Sequence, residues 1–273
     1  MREVMIGLVR LGEGTSPVSW DANQVFHVLP EPAELIDLFE NLLASRADAF
    51  LFWDERLPLP QPESLQQLLA APGDVWHAGL ALGLGGLPGL LDAVAPTWML
   101  NRDPAATIEA TSWRVSLRAC LVRRAVLEQI GFVREGFRTL EAAGLEWGHR
   151  CIRRGVVVRH APQLLPQPPE APPVVALPFE DELRFIRWRF GRKWQDWAAF
   201  RAVLSGYAGL GQVAAAHKAL QRQRFTADPA PYRAEAPGVP CSSGAVTAQP
   251  RVSVIVPTLQ RYPYLRVLLG QLR

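Results

Sequence analysis

The chain has 273 residues and a formal net charge of +3, a length that fits one or two domains. Hydrophobic residues make up 49% of the chain and charged residues 20%, proportions typical of a globular protein and not of a disordered one. The 29 basic residues are nearly balanced by 26 acidic ones, so the charge gives no reason to expect a nucleic-acid-binding protein.

Cysteines and apolar runs exclude further classes. Cys120, Cys151 and Cys241 have no C-x-x-C spacing, so they indicate neither a zinc site nor a disulfide framework, and a reducing compartment is the simplest interpretation. The apolar run at the N-terminus is too short for a signal peptide. The longest apolar stretch, 75–95, is interrupted by histidine, glycine, proline and aspartate. We therefore predict a cytoplasmic protein without a membrane-spanning helix.

The first part of the chain alternates between short apolar runs and amphipathic segments, the pattern of an α/β domain. In 31–47 the leucines and Phe39 recur at helical spacing, and prolines stand at the start, where a helix tolerates them. The predicted elements are, in chain order, a strand at 4–9, a strand at 24–29, a helix at 31–47, a strand at 49–53, a helix at 62–71, a strand at 75–82 and a short helix at 87–95.

Glycines mark the ends of the next predicted helices. Residues 112–137 predict a strand and then a helix that begins near Arg123 and stops at Gly131, because glycine adopts the left-handed conformation after a helix without a Cβ clash. A helix at 140–155 also closes on glycine, and a short strand follows at 156–162. We therefore predict one α/β domain over residues 1–165.

Composition changes after this domain. Proline-rich sequence predicts a stiff connector, and sequence rich in proline, alanine, glycine and serine predicts a flexible linker. Between them lies a helical appendage, with breaks predicted near Gly191 and at 206–211. The predicted order is the connector at 166–178, the helical appendage at 179–225, the linker at 226–250, and the first strand and helix of a second α/β domain at 251–273.

The strand predicted at 49–53 ends in a group of charged residues. Its continuous apolar run is followed directly by Asp54, Glu55 and Arg56. A buried parallel strand has this appearance when its polar carboxyl end reaches a ligand crevice. The alternative is a solvated strand end that begins a turn toward Pro58.

The segment 252–261, VSVIVPTLQR, resembles the opening of the family-2 glycosyltransferases, in which a strand, a Pro-Thr loop with a nearby arginine and a leucine-rich helix follow one another. The resemblance implies that Pro257, Thr258 and Arg261 bind the nucleotide of a sugar donor. A lone strand and helix cannot bury their apolar faces. We therefore expect the sequence to be a fragment that ends early in a second transferase domain.

The first domain is similar to the same family over 112–165. Glu146, Trp147 and Arg150 match the family pattern Glu-Asp-x-(Asp/Glu)-Leu/Trp-x-x-Arg, while its acidic pair falls on Ala143 and Gly144. The resemblance implies a divergent GT-A-like α/β fold, with a sheet flanked by helices. Glu146 is then the candidate catalytic base, and the alternative is an acid on the helix surface that pairs with Arg150 at i+4.

The resemblance also implies a metal. Family members carry Asp-x-Asp after an apolar strand, and its carboxylates bind the divalent cation that neutralises the donor diphosphate. Here Asp54 and Glu55 are the candidate ligands of Mn²⁺ or Mg²⁺, and Arg56 replaces the second aspartate. An arginine can neutralise a diphosphate directly. Arg56 pointing into the crevice would favour diphosphate binding, and Arg56 pointing into solvent would not.

The segment 185–197, FIRWRFGRKWQDW, mixes basic and aromatic side chains. Three interpretations compete, in this order: a helix packing its aromatics on the domain, a helix lying on an anionic membrane surface, and a nucleic-acid contact. Because the rest of the chain is not basic, we predict no nucleic-acid partner. A contact through this segment would be peripheral, at the inner face of the membrane.

Together these features predict a glycosyltransferase fragment with an impaired first domain. The parent would transfer a sugar from a nucleotide-diphosphate donor to a glycan or a lipid-linked acceptor. The alternative is a non-catalytic, glycosyltransferase-like domain that acts as a scaffold for the second domain, a partner or a membrane surface.

Overall fold

The computed structural model describes residues 4–13, 24–84, 89–94, 105–165, 167 and 176–234. These residues form a seven-stranded mixed sheet flanked by helices, which confirms the predicted α/β class. Most of the predicted connector lies outside the described residues, and so does the segment 251–273 with Pro257, Thr258 and Arg261.

The strands overlap the predicted ones, with differences at three places: the strand Ala110–Thr111 was not predicted, the strand predicted from residue 112 begins only at Ala119, and the chain departs from the predicted strand near residue 79. There the predicted strand 75–82 ends at His77 and continues as a 3-10 turn, Gly79–Leu82. A side chain at Gly79 would place its Cβ 2.3 Å from the carbonyl oxygen of Arg114, so the backbone approaches closely here. The strands are β1 (Ile6–Leu11), β2 (Gln24–Val28), β3 (Ala49–Asp54), β4 (Val75–His77), β5 (Ala110–Thr111), β6 (Ala119–Arg123) and β7 (Val158–His160).

Across the sheet the strands follow the order β2, β1, β3, β6, β4, β7, β5. Strand β1 is parallel to both β2 and β3, and β4 is parallel to β7. Strand β6 lies between β3 and β4 and is antiparallel to both, and β5 is antiparallel to β7. Strands β1, β2 and β3 therefore end at the same edge of the sheet.

The helices begin and end close to the predicted positions. Both breaks predicted in the appendage occur where expected. Gly191 separates two helices, and the next helix begins after Gly209. The helices are α1 (Pro32–Ala44), α2 (Pro62–Ala70), α3 (Gly89–Val94), α4 (Arg124–Ile130), α5 (Leu140–Arg153), α6 (Phe179–Phe190), α7 (Arg192–Leu204) and α8 (Leu210–Arg222).

Strand β3 is buried over its whole length and separates two apolar cores. Phe50 and Phe52 point into a larger core, while Leu51 and Trp53 point into a smaller one on the other face. Successive side chains of a strand point to opposite faces. When both faces are covered by apolar cores, apolar side chains are favoured at every position between the strand ends. This explains the continuous apolar run in the sequence.

Helices α6, α7 and α8 belong to the same compact unit as the sheet, which covers residues 1–235. The Asp181 carboxylate accepts hydrogen bonds from the backbone N–H groups of Arg138 and Thr139 and from the Thr139 hydroxyl. Glu182 accepts from the Leu90 N–H and from the Tyr207 hydroxyl. Buried carboxylates with several donors thus join the helical appendage to the α/β part.

Residues 226–233, which we call the strap, follow α8 and contact the same unit. The Tyr232 hydroxyl donates a hydrogen bond to Asp74, and the Arg233 N–H donates to the side chain of Gln129. Asp228 forms ion pairs with three arginines. The start of the predicted linker is therefore held against the domain by its own polar groups.

Candidate functional site

The carboxyl ends of β1, β2 and β3 form a cleft of about 440 Å³. The chain passes from β1 to β2 on one side and reaches β3 on the other, and ligands of α/β sheets bind where the strand order reverses in this way. The charged residues that line the cleft are Glu13, Glu31, Asp54, Glu55, Arg56 and Arg118.

Asp54 lies at the end of β3 and is only 3% exposed. One carboxylate oxygen accepts hydrogen bonds from the backbone N–H and Nε of Arg56, at 3.0 and 2.9 Å. The other accepts from Nη2 of Arg56 and Nη1 of Arg118, each at 2.7 Å. Burial alone would raise the pKa of this carboxyl, but the hydrogen bonds from Arg56 and Arg118 outweigh it and lower the pKa from 3.8 to about 2.

Arg118 and Glu141 belong to the same group of charges. Arg118 also donates from Nε to Glu141, at 2.7 Å. Glu141 lies in the first turn of α5, whose N-cap Thr139 accepts a hydrogen bond from the Ala142 N–H. A chain of charges thus runs from Arg56 through Asp54 and Arg118 to the start of α5.

The sequence analysis missed both Arg118 and Glu141. Arg118 precedes β6, and its carbonyl oxygen accepts a hydrogen bond from the Asp54 N–H, because β6 is antiparallel to β3. The direction of β6 has no local signal in the sequence. Glu141 had a weak local signal in the sequence, since an acid in the first turn after a threonine N-cap is typical of a helix start.

Glu55 turns away from Asp54. Its carboxylate accepts a hydrogen bond from the Glu13 N–H at 3.1 Å, and a Cβ on Gly12 would come within 2.0 Å of the Glu55 side chain. Gly12 and Glu13, which follow β1 directly, therefore lie against the Glu55 side chain, and glycine at position 12 is needed for this approach. Asp54 and Glu55 do not converge on one point.

These residues do not fit a site for Mn²⁺ or Mg²⁺. Both oxygens of Asp54 are held by guanidinium groups, which would repel a divalent cation. Within the described ranges, no three histidine, cysteine, aspartate or glutamate side chains are arranged to hold a metal ion. The metal predicted at Asp54 and Glu55 therefore has no counterpart in the arrangement of these side chains.

The guanidinium of Arg56 does not point into a pocket suited to an anion, and it does not extend into solvent without a partner. Its side chain is 74% exposed, yet the guanidinium folds back onto Asp54. The cleft is lined by four carboxylates and two guanidinium groups, so its charge is net negative and disfavours a diphosphate that arrives without a cation. Within this cleft, Arg56 and Arg118 neutralise the Asp54 carboxylate and occupy both of its oxygens.

The position of Glu146 does not suit a catalytic base, which would have to be accessible. Glu146 is fully buried on α5 and forms ion pairs with Arg189 at 2.9 Å, Arg150 at 3.4 Å and Arg134 at 3.7 Å. A base must reach the proton it removes, and a carboxylate enclosed by three arginines is not accessible to an acceptor hydroxyl. The ion pair with Arg150 agrees with the alternative made from the sequence, but Glu146 is buried and does not lie on the helix surface, as that alternative had it.

His77 and His160 are fully buried, His149 is partly buried and His27 is exposed. Burial, followed by the charges of Arg189 and Arg153, lowers the pKa of His149 to about 3, so its ring is neutral. His160 contacts the Ile108 carbonyl through Nδ1, at 3.0 Å. Cys120 and Cys151 are free and buried, as expected for core residues.

Comparison of the chain with models of known protein families, with curated proteins and with solved structures finds no match. Among the helices of the described residues, none combines the length and the apolar character needed to cross a bilayer.

Proposed function

We propose that residues 1–235 are a non-catalytic, glycosyltransferase-like domain that serves as a docking module. The observation that carries this proposal is the state of Asp54. Its position at a strand end fits the metal-binding acid of the family that the sequence resembles, but Arg56 and Arg118 occupy both of its oxygens. Glu146, the one candidate base, is enclosed by arginines.

The GT-A-like character of the domain is part of the same proposal. It is supported by the mixed sheet, by the crevice at the carboxyl ends of β1 and β3, and by an acid at the end of β3. These features place the cleft where α/β folds bind ligands. Fold-level analogy does not by itself assign an activity, so the non-catalytic assignment depends on the charged residues.

Sugar transfer then belongs to the second domain. We assign donor binding to its opening segment, 251–273, through Pro257, Thr258 and Arg261. The substrates proposed for the whole protein are a nucleotide-diphosphate sugar and a glycan or lipid-linked acceptor, and the divalent cation would bind in the second domain. The first domain would position the second domain and would take no part in the transfer reaction.

The surface to which the domain docks is proposed to be an anionic membrane. Four large apolar side chains of α7 and α8 are between 46% and 74% exposed: Trp197, Phe200, Leu204 and Leu210. The basic residues Arg192, Lys193 and Arg201 lie on the same helix, α7, and are exposed. Basic and aromatic side chains together favour the interface of a membrane that carries anionic lipid.

This surface differs from the segment 185–197 expected from the sequence. Phe185, Ile186 and Arg189 are buried against the domain, so the first part of that segment packs inward, as in the first of its three interpretations. The exposed aromatic face begins only with Trp197.

The non-catalytic assignment is tested by calorimetric titration of the chain with UDP, with and without Mn²⁺. We expect no saturable heat in either case, and the same result for Asp54→Ala. The variant Arg56→Asp restores the second carboxylate of the family motif and is expected to gain Mn²⁺ binding, measured by electron paramagnetic resonance. Mn²⁺-dependent UDP binding that disappears in Asp54→Ala would overturn the proposal, and an Arg56→Asp variant that binds no Mn²⁺ would contradict the glycosyltransferase-like site.

A further inference from the structure

A second group of charges lies inside the domain and shares no residue with the cleft at β1–β3. It joins α5, α6 and the strap. Nη2 of Arg189 contacts both Glu146 and Asp228, at 2.9 and 2.8 Å. Nη2 of Arg134 donates to Asp228 at 2.9 Å. The group consists of four arginines, Arg134, Arg150, Arg154 and Arg189, and two acids, Glu146 and Asp228.

The positive charge of this group exceeds its negative charge by two. Three of the arginine side chains are nine-tenths buried or more: Arg134 is 10% exposed, Arg150 5% and Arg189 1%. Burial lowers the pKa of Arg134 to about 10, which still leaves the guanidinium charged at neutral pH. Arg154 is 28% exposed and therefore hydrated, so the three buried arginines and the two acids leave one uncompensated positive charge. Buried charges are normally paired, and this surplus calls for an anion.

Some of the donors in the group are also unused. Nη1 of Arg134 and Nε of Arg150 are buried and make no hydrogen bond within the described residues. A buried donor without an acceptor costs about 1–3 kcal/mol, and more when the group is charged. Nε of Arg154 and Nε of Arg189 are unused as well, and Arg134 and Arg150 are the two arginines of the group that line a neighbouring cavity.

This cavity measures about 370 Å³ and has two kinds of wall. Arg134 and Arg150 form its charged side, while Ile36, Phe39 and Phe132 contribute an apolar side. The strap lines a further side with Thr226, Ala227 and Pro229. A ligand that fits both walls has a compact anionic head and a flat or aliphatic apolar body.

We propose that the cavity binds a small organic anion, with a phosphate or carboxylate head against Arg134 and Arg150 and an apolar body against Ile36, Phe39 and Phe132. Asp228 of the strap already pairs with Arg134, because it accepts a hydrogen bond from Nη2 of that side chain, whereas Arg150 pairs with Glu146. The ligand head supplies the remaining negative charge from the cavity. Arginine suits this role, since its planar guanidinium binds two oxygens of phosphate or carboxylate at once.

The test is calorimetric titration of the chain with phenyl phosphate, benzoate, inorganic phosphate and benzyl alcohol. We expect saturable binding of phenyl phosphate or benzoate, and the tighter of the two identifies the head group. Inorganic phosphate and benzyl alcohol, which each lack one half of the ligand, are expected to bind at least about tenfold more weakly. Equal affinity for inorganic phosphate would overturn the apolar half of the proposal, and the absence of binding by both aromatic anions would overturn the whole.

Variants locate the binding to the cavity. Arg134→Gln is expected to lower the affinity at least about tenfold, since a hydrogen bond to a charged group contributes about 1.5–3 kcal/mol. Arg192→Gln, on an exposed arginine, is the matched control and is expected to bind as the unmodified chain does.

Because Arg134 also holds Asp228, its variant could fail through loss of the fold. Ile36→Glu avoids this difficulty, because the half-buried Ile36 lies on the apolar wall and a carboxylate there can pair with the free arginine donors. We expect it to abolish binding and to leave the melting temperature equal or higher. Unchanged binding in both Arg134→Gln and Ile36→Glu would contradict the site.

Discussion

At the scale of single residues, the distinguishing feature of the domain is that Asp54, the acid at the end of β3, is paired with two arginines. Asp54 is buried at a point where a metal would need free oxygens, and fixed guanidinium charges take the place of the cation. A guanidinium matches a carboxylate with two parallel donors. The pair therefore stabilises the fold of the cleft, whereas a metal site would have to leave coordination positions open for the donor diphosphate.

The pH dependence of stability follows from this pairing. The folded-state pKa of Asp54, about 2, lies below its usual 3.8, so its contribution is present above pH 4 and is lost as the pH falls toward 2. We expect Asp54→Asn to reduce the free energy of unfolding by about 2 kcal/mol at neutral pH. Urea unfolding at neutral pH, near pH 4 and near pH 2 should show this difference shrinking at the lowest pH.

The exposed Asp196 provides the control for that series. Its side chain is 52% exposed and lies 3.8 Å from Arg192, and surface pairs of this kind contribute little. Asp196→Asn should change the free energy of unfolding by less than about 0.5 kcal/mol. A difference for Asp54→Asn that stays constant down to pH 2 would contradict the assignment of a lowered pKa.

At the scale of elements, the sequence predicted what local patterns determine. The buried strand β3, the amphipathic helix α1 and the glycine after α4 follow from apolar periodicity and from helix-end chemistry. It could not predict that β6 inserts antiparallel between β3 and β4, because that pairing joins residues far apart in the chain. Only this insertion brings Arg118 to Asp54, so the main contact of the candidate site was missed with it.

Helix α5 shows how one such contact constrains the sequence. It packs so closely on the segment 113–115 that a Cβ on Gly148 would lie 2.3 Å from the Trp113 carbonyl oxygen, and one on Gly144 would lie 2.7 Å from the Val115 carbonyl oxygen. Glycine normally weakens a helix interior. Here it permits the backbones to touch, and the same helix then carries Glu141 and Glu146 to their arginines.

Two glycine substitutions separate packing from helix propensity. Gly148→Ala should destabilise the domain by about 1–3 kcal/mol, because the neighbouring carbonyl has to move. Gly211→Ala, in α8 with no atom near the added Cβ, should stabilise it by about 0.5–1 kcal/mol through helix propensity. Thermal and urea unfolding of both variants measure the two signs, and a stabilising Gly148→Ala would contradict the close packing.

At the scale of the whole molecule, the appendage helices have two unlike faces. Their inner face joins the larger core through Phe185 and Ile186, whereas Trp197 and Phe200 contact each other at the surface in a tilted arrangement, with ring centroids 5.9 Å apart. The basic and aromatic composition of 185–197 predicted, first, a helix that packs its aromatics on the domain and, second, a membrane surface. It could not show which aromatics face inward, since the aromatics of this segment are divided between α6 and α7 and tertiary contacts decide which of them are buried.

The exposed face leads to a prediction about the complete unit. The chain should sediment with vesicles of phosphatidylcholine mixed with phosphatidylglycerol, and less with phosphatidylcholine alone, because basic residues near an anionic surface contribute about 1 kcal/mol each. The double variant Trp197→Ser, Phe200→Ser should lower the partition coefficient at least about tenfold, since each ring loses part of the 1.5–3 kcal/mol available from full burial. Ile108→Ser, which removes an equally exposed apolar side chain outside α7 and α8, should leave it unchanged. Equal binding to neutral vesicles, or full binding of the double variant, would mean that this face does not dock to an anionic membrane.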